Sequence, residues 1–125
     1  MAKSSVKESE LDGLRTEALL LNQLLNDSGA AIYVKDLKGR YTYVNDVCAA
    51  HFGKSRKALI GKVDSELIPG LEKRFSDRDK KILKTGVALE YEDVSAFPDR
   101  RYRFHTRKIP LFDEAGKVIG LKGYS

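Results

Sequence analysis

Cys48 is the sole cysteine of the 125-residue chain. That excludes an internal disulfide and a multi-cysteine metal site. Only His51 and His105 could join it as soft ligands, a poor set for a metal. No apolar run approaches the ~20 residues of a membrane-spanning helix. The N-terminal "MAKSSVKESELDG" lacks the apolar stretch of a signal peptide. There is no glycine-rich phosphate loop, no nucleophile elbow, no internal repeat and no low-complexity segment. What remains is ordinary for a folded chain, 42% hydrophobic and 33% charged. It is long enough for one domain with a core and one extra element. The expectation is a cytoplasmic protein, or the cytoplasmic part of something longer, with no membrane segment.

The net charge is +5, from 23 basic and 18 acidic residues. Basic residues are interleaved with acids, as in "LEKRFSDRDKK", which marks a solvated helix face rather than a phosphate-binding stripe. Nucleic-acid binding is therefore disfavoured. Its best case is Arg100, Arg101, Arg103 and Arg107, and these can equally pair with acids on a neighbouring strand.

The chain opens with a helical pattern. Leu11, Leu14, Ala18, Leu21 and Leu25 follow the spacing of a coiled-coil seam; Leu19, Leu20 and Leu24 widen the stripe. Asn26 to Gly29 stop it. Two heptads are too few for a free coiled coil, so this helix must pack on its own domain, on a second copy, or on both.

"IYVKD" and "YTYVN" then read as strands around Asp36-Leu37-Lys38-Gly39, a type I turn. The same chemistry recurs at Asp113-Glu114-Ala115-Gly116, between "RYRFHTRKIPLF" and "KVIGLKGYS". A turn near Pro98-Asp99 joins the former to "VALEYEDVSA". Between the hairpins lie short helices: one capped by Asn45 or Asp46 and stopped by Gly53, one capped by Ser55, one capped by Asp64. A longer helix opens at Pro69 or Gly70 and ends at Gly86, with Leu71, Phe75, Ile82 and Leu83 marking its buried face. Alternation puts Tyr102, Phe104 and Thr106 on the helix side of one strand and Arg101, Arg103, His105 and Arg107 on the other. In the last strand Ile119, Leu121 and Gly123 share a face. Neither face of that strand is strongly polar, so it is predicted to be central, its outer face covered by the N-terminal helix.

Residues 30–125 resemble a PAS domain nearly whole. The pieces that carry the resemblance are "IYVKDLKGRYTYVN", the Asn45 to Gly53 helix, "ALIGKVDSEL", "ILKTGVALEYE" and "KIPLFDEAGKVIGLKGYS", in that order and spacing. It implies an α+β PAS fold: a five-stranded antiparallel sheet, short helices on one face, and an amphipathic, coiled-coil-like helix over residues 1–29. It also implies a sensory or signal-relay role in a bacterial histidine kinase or cyclic-di-GMP enzyme, with a C-terminal effector and no catalysis by the module itself. A ligand-free dimerisation and relay domain is the alternative, with a transcription regulator's nucleic-acid-binding domain behind it.

A flavin photoadduct needs a reactive cysteine near Asp64, and Cys48 reads instead as a small buried side chain. Haem binding in such domains commonly uses a histidine on the long helix, which has none. No cofactor is evident. The pocket candidates are Tyr33, Lys35, Tyr41, Cys48, Phe75, Glu92, Phe104, Thr106, Lys108 and Leu121. Lys35 and Lys108 facing a semi-buried space each need a partner. Glu90, Glu92, Asp64 or Glu66 could supply it, or a small organic anion could. A homodimer is expected through the N-terminal helix (Leu11, Leu14, Ala18, Leu21, Leu25) and the outer sheet face.

Overall fold

The computed structural model describes residues 7–68, 72–97 and 100–125, without the side chains of residues 72–76, 95 and 96. The elements are α1 (Glu8–Asp27), β1 (Ile32–Asp36), β2 (Tyr41–Val44), α2 (Asp46–Phe52), α3 (Arg56–Leu59), α4 (Asp64–Leu67), α5 (Glu72–Thr85), β3 (Leu89–Ala96), β4 (Arg101–Phe112) and β5 (Val118–Tyr124). The five strands form one antiparallel sheet in the order β2-β1-β5-β4-β3. β5 is central, as its lack of a polar face predicts.

Local chemistry sets the ends of the elements. Asp36 Oδ1 accepts from the amides of Lys38 (2.9 Å) and Arg40 (3.0 Å), and Asp113 Oδ1 accepts from Ala115 and Lys117, both at 2.9 Å. These are the two predicted turns. Each needs a left-handed glycine, Gly39 at φ 79° and Gly116 at φ 85°. The third hairpin is bracketed by Phe97 N donating to Arg100 O at 3.0 Å; Pro98 and Asp99 lie outside the described residues. So do Pro69 and Gly70, the expected start of the long helix, together with Leu71 and the side chain of Phe75. Asn45 caps α2 and Ser55 caps α3.

Three expectations need correction. Asp64 does not cap α4: Val63 stands at that position, its amide donating to Glu66 Oε1 at 3.1 Å, and the Asp64 carboxylate points into the core. The outer face of β5 is not sealed by α1. No residue of α1 is buried, and Ile119 and Tyr124 remain exposed, Ile119 by 40%. Finally, simple alternation fails at the start of β5. A register shift there pairs Phe112 with Val118 and Leu111 with Gly120. Val118, rather than Ile119, reaches the end of α5 beside Gly86.

The core lies between the inner face of the sheet and α2, α3 and α5. It contains Val44, Leu59, Ile82 and Leu121, all fully buried, with Ala49 and Phe52. Two glycines of β5 set how tightly it closes. A Cβ on Gly120 would collide with the Lys35 carbonyl, and one on Gly123 with the Tyr33 ring. The strands and the ring come this close only because both side chains are absent.

Candidate functional site

The sheet's inner face carries two lysines, Lys35 on β1 and Lys108 on β4, only 2% and 3% exposed. Neither is alone. Lys35 Nζ lies 2.6 Å from Asp64 Oδ2 and 2.8 Å from Asp79 Oδ2; Lys108 Nζ lies 2.7 Å from Asp79 Oδ1. Tyr41 Oη donates to the other Asp64 oxygen at 2.6 Å. Asp79 descends from α5 and Asp64 from α4. The cluster therefore ties β1, β2 and β4 to both helices, across the central strand.

The cluster is neutral as a whole, with two ammonium groups against two carboxylates. Burial alone would pull Lys35 down, but Asp64 and Asp79 outweigh it and hold the ammonium above its ordinary range. Burial would push Asp79 up, and Lys35 and Lys108 together hold it below the ordinary carboxylate range. Lys108 is likewise raised against its own desolvation. All three are thus held charged in a dry setting, which only mutual pairing permits. The neighbouring phenols are pushed the other way: burial raises Tyr33 and Tyr41 and keeps both protonated. Burial also pushes the Cys48 thiol up to about 12, with Lys35 opposing, so it is an inert core thiol.

Beside the charge cluster is an aromatic wall. His51 of α2 packs on Tyr102 at 4.2 Å and Phe104 at 5.6 Å between ring centroids. Phe97 meets Phe52 at 5.1 Å and Phe104 at 5.4 Å, both edge-on. Between wall and cluster is a cavity of about 50 Å³. Tyr91 and Asp93 of β3 close its rim. Arg78 of α5 lies over the Tyr91 ring at 3.9 Å and bonds Asp93 Oδ2 at 2.9 Å. At the far end sits Ser125, its Oγ 2.9 Å from Thr106 Oγ1.

Of the pocket candidates, Tyr33, Lys35, Tyr41, Cys48, Phe104, Thr106 and Lys108 line this cavity. Leu121 lies in the core but is not among its lining residues. The side chain of Phe75 is outside the described residues. Glu92 lies on the opposite face of the sheet, exposed, 4.0 Å from Arg103 and 3.9 Å from His105. Glu90 is beside it, 2.6 Å from His105. Neither acid satisfies a lysine, because the β3 register puts Tyr91 and Asp93 inward instead. Tyr43 also points outward, its hydroxyl donating to Asn22 of α1 at 2.8 Å.

Asp79, His51 and Phe97 were missed. Asp79 sits within a charged run that reads as solvated, yet it precedes Ile82 by three positions on the buried stripe. That spacing was the available signal. Among the described residues no group of histidine, cysteine and carboxylate side chains could hold a metal ion, and no helix is long and apolar enough to cross a membrane.

Comparison with known proteins agrees with this geometry. The family model of the PAS fold matches residues 25–125. The aerobic respiration control sensor protein ArcB of Escherichia coli K12 is 27% identical over 110 residues, which is 86% of this chain and 14% of ArcB. A diguanylate cyclase of Vibrio cholerae serotype O1 is 29% identical over 125 residues, covering 89% of this chain and 38% of the cyclase. The chain thus spans a small part of the curated relatives it matches. Among solved structures, VqmA bound to DPO superposes with a TM-score of 0.78 at 22% identity, over 85% of this chain and 56% of that one. At that identity the likeness is one of fold.

Proposed function

Because this chain belongs to the PAS family, we propose that it is the sensory and signal-relay module of a larger cytoplasmic signalling protein, a histidine kinase or a cyclic-di-GMP enzyme. Catalysis then belongs to an effector that follows β5, and the cavity on the inner face of the sheet receives the input. A sensor protein and a diguanylate cyclase among the relatives support the setting. The observation that carries the relay is Ser125. It lines the cavity, bonds Thr106 through its hydroxyl, and exchanges both backbone hydrogen bonds with Ala31 at 2.9 Å. A change at the cavity wall therefore acts directly on the residue that follows β5. Thr106→Val in the parent protein removes that hydroxyl bond at nearly constant shape. The kinase or cyclase output should change at least several-fold while the melting temperature of the module moves by only a few degrees, about the worth of one hydrogen bond. Unchanged output would sink this route.

The nature of the input follows from the electrostatics. Asp64 and Asp79 already neutralise Lys35 and Lys108, so a small carboxylate would have to displace a buried acid. The aromatic wall suits a neutral ring better. VqmA, a neighbour in fold, is described as bound to DPO, which supports a small-molecule input. The ligand-free relay is favoured by size: about 50 Å³ has room for only a few waters, against the ~300 Å³ or more of an ordinary ligand site. Native mass spectrometry of protein from its own host, with melting curves against small carboxylates and neutral heterocycles, separates the readings. A retained or stabilising molecule establishes sensing; a bare mass and unmoved melts establish the relay.

The partner within the assembly is proposed to be a second copy. α1 leaves Leu14, Leu19, Leu20, Leu21 and Leu24 exposed, Leu24 by 67%, a stripe that water does not favour. Leu14→Glu with Leu21→Glu should halve the mass measured by light scattering. An unchanged mass overturns this assembly. The arginines of β4 do not argue for nucleic acid, since Glu90 and Glu92 are interleaved with them across the same face.

A further inference from the structure

α1 is joined to the domain in an unusual way for so apolar a helix. None of its leucines is buried, and an open groove separates Ala18 and Leu21 from Tyr43 and Arg56. Among the described residues, its hydrogen bonds to the rest of the domain come from its last two turns. Asn22 Oδ1 accepts from Tyr43 Oη at 2.8 Å. Asn26 and Asp46 bond reciprocally: the Asp46 amide donates to Asn26 Oδ1 at 2.7 Å, and Asn26 Nδ2 donates to Asp46 Oδ2 at 2.9 Å. The Leu25 carbonyl accepts from Asn45 Nδ2 at 3.0 Å.

Asn45 is fully buried and uses its whole amide. Besides Leu25 it donates to the Ala30 carbonyl at 2.8 Å, and its Oδ1 accepts from the Ile32 and Cys48 amides, both at 3.0 Å. One side chain thus joins the end of α1, the start of β1 and the first turn of α2. And α2 is the helix that presents Cys48, His51 and Phe52 to the cavity.

We propose that Asn45 and the Asn26–Asp46 pair form a polar joint that couples the position of α2, and hence the state of the cavity, to the docking of α1. This arm is separate from the exit through Ser125 and does not depend on what occupies the cavity. The physical reason is the kind of bond used. The Asn26–Asp46 bonds are exposed and can be traded for water at small net cost, whereas a packed apolar face would hold the helix in one place. The directionality of the joint's bonds ties them to the orientation of α2: a small rotation of its first turn misaligns three of them together. α1 therefore has a docked and a released state whose balance α2 sets.

The test is hydrogen exchange of the whole 125-residue chain, read at the amides of α1. Asn26→Ala, at an exposed seam, should speed exchange in the last turns of α1 about five-fold, as one lost hydrogen bond does. Cys48→Met, which crowds the cavity from α2, should produce a similar rise without touching α1. In the Asn26→Ala background, Cys48→Met should add nothing, because the joint is already open. His51→Leu serves as a second wall perturbation if Cys48→Met folds poorly. Equal rises in both backgrounds, or no effect of either wall variant on α1, would overturn the coupling. Since the readout is the domain's own exchange, that result is independent of the fate of the Ser125 route.

Discussion

On the inner face of the sheet Lys35 and Lys108 hold Asp64 and Asp79 where water scarcely reaches, whereas on the outer face Glu90 and Glu92 meet His105 and Arg103 in the open. The distances are alike: 2.7 Å for Lys108–Asp79 and 2.6 Å for His105–Glu90. The energetics are not. In water such a contact replaces good hydration with an attraction that solvent and salt weaken. In the core, a partner is the only thing that keeps the charge tolerable. Distance alone therefore says little about which charges hold the fold; burial decides it.

The largest effect should come from Asp79→Ala. It strips Lys108 of the acid it bonds and Lys35 of one of two, leaving charge behind in the core. The expected loss is about 3–5 kcal/mol, on the order of 15 °C in melting temperature, read by urea and thermal unfolding. Replacing the whole cluster with apolar residues (Lys35→Met, Asp64→Leu, Asp79→Leu, Lys108→Met) should cost less than Asp79→Ala alone. If the single variant loses under about 1 kcal/mol, the buried cluster behaves like a surface pair and the contrast fails. The pH profile sharpens it. Asp79 is held below its ordinary 3.8, so its contribution is present above that value and is lost as pH falls through the lowered one. Lys35 and Lys108 are held above 10.5, so theirs is present below that value and is lost as pH rises through the raised one. Stability from the cluster should be flat between, with both edges steepening only outside the window.

The architecture was largely legible because it is written in local chemistry. Asp36 and Gly39, Asp113 and Gly116, Asn45 and Ser55 act within a few residues of themselves, and strand alternation carried the facing of β4. The site was half legible. Lys108 falls on the inner face by alternation with Tyr102, Phe104 and Thr106, and the family resemblance puts Lys35 there with Tyr33. Tyr41 does not follow from period two, because a register shift between β1 and β2 turns Tyr41 inward and leaves Tyr43 outward. Asp79 did not stand out, because composition in "SDRDKK" masks a position that only the helix stripe singles out. The choice of Glu92 over Asp93 failed for a different reason. Alternation says that Glu90 and Glu92 share a face but not which one; the pairing of Glu92 with His105 decides it. Likewise the inserted residue at Ile119 cannot be read from a pattern that assumes none.

A middle-sized effect should separate the tight inner face from the open helix. Gly123→Ala puts a methyl group into the Tyr33 ring and should cost about 1–3 kcal/mol in urea unfolding. Truncating Tyr33 to Ala should remove most of that cost, because the two residues share one contact. Gly13, in α1, has nothing near its missing Cβ, and Gly13→Ala should instead stabilise by up to about 1 kcal/mol. A neutral Gly123→Ala would mean that the ring moves aside freely and the inner face is looser than it looks. In that case the glycine's part would lie with the signal rather than the fold.

The smallest effect belongs to the outer face. Glu90 and His105 are 56% and 61% exposed at the side chain, and Glu90→Gln should change stability by no more than about 0.5 kcal/mol. Raising salt from 0.15 M to 0.5 M shortens the screening length from roughly 8 Å toward 4 Å. That should erase what difference there is, while the Asp79→Ala loss stays nearly constant because its charges are dry. The informative failure is a large loss. If Glu90→Gln costs more than about 1.5 kcal/mol and salt leaves the cost intact, the outer face is not in water when the protein is assembled, and something covers it. A second copy would do so only above its association concentration. Repeating the unfolding over a hundred-fold range of protein concentration then tells a surface covered by a partner chain, where the loss grows with concentration, from one whose pairing is strong in the single chain, where it does not.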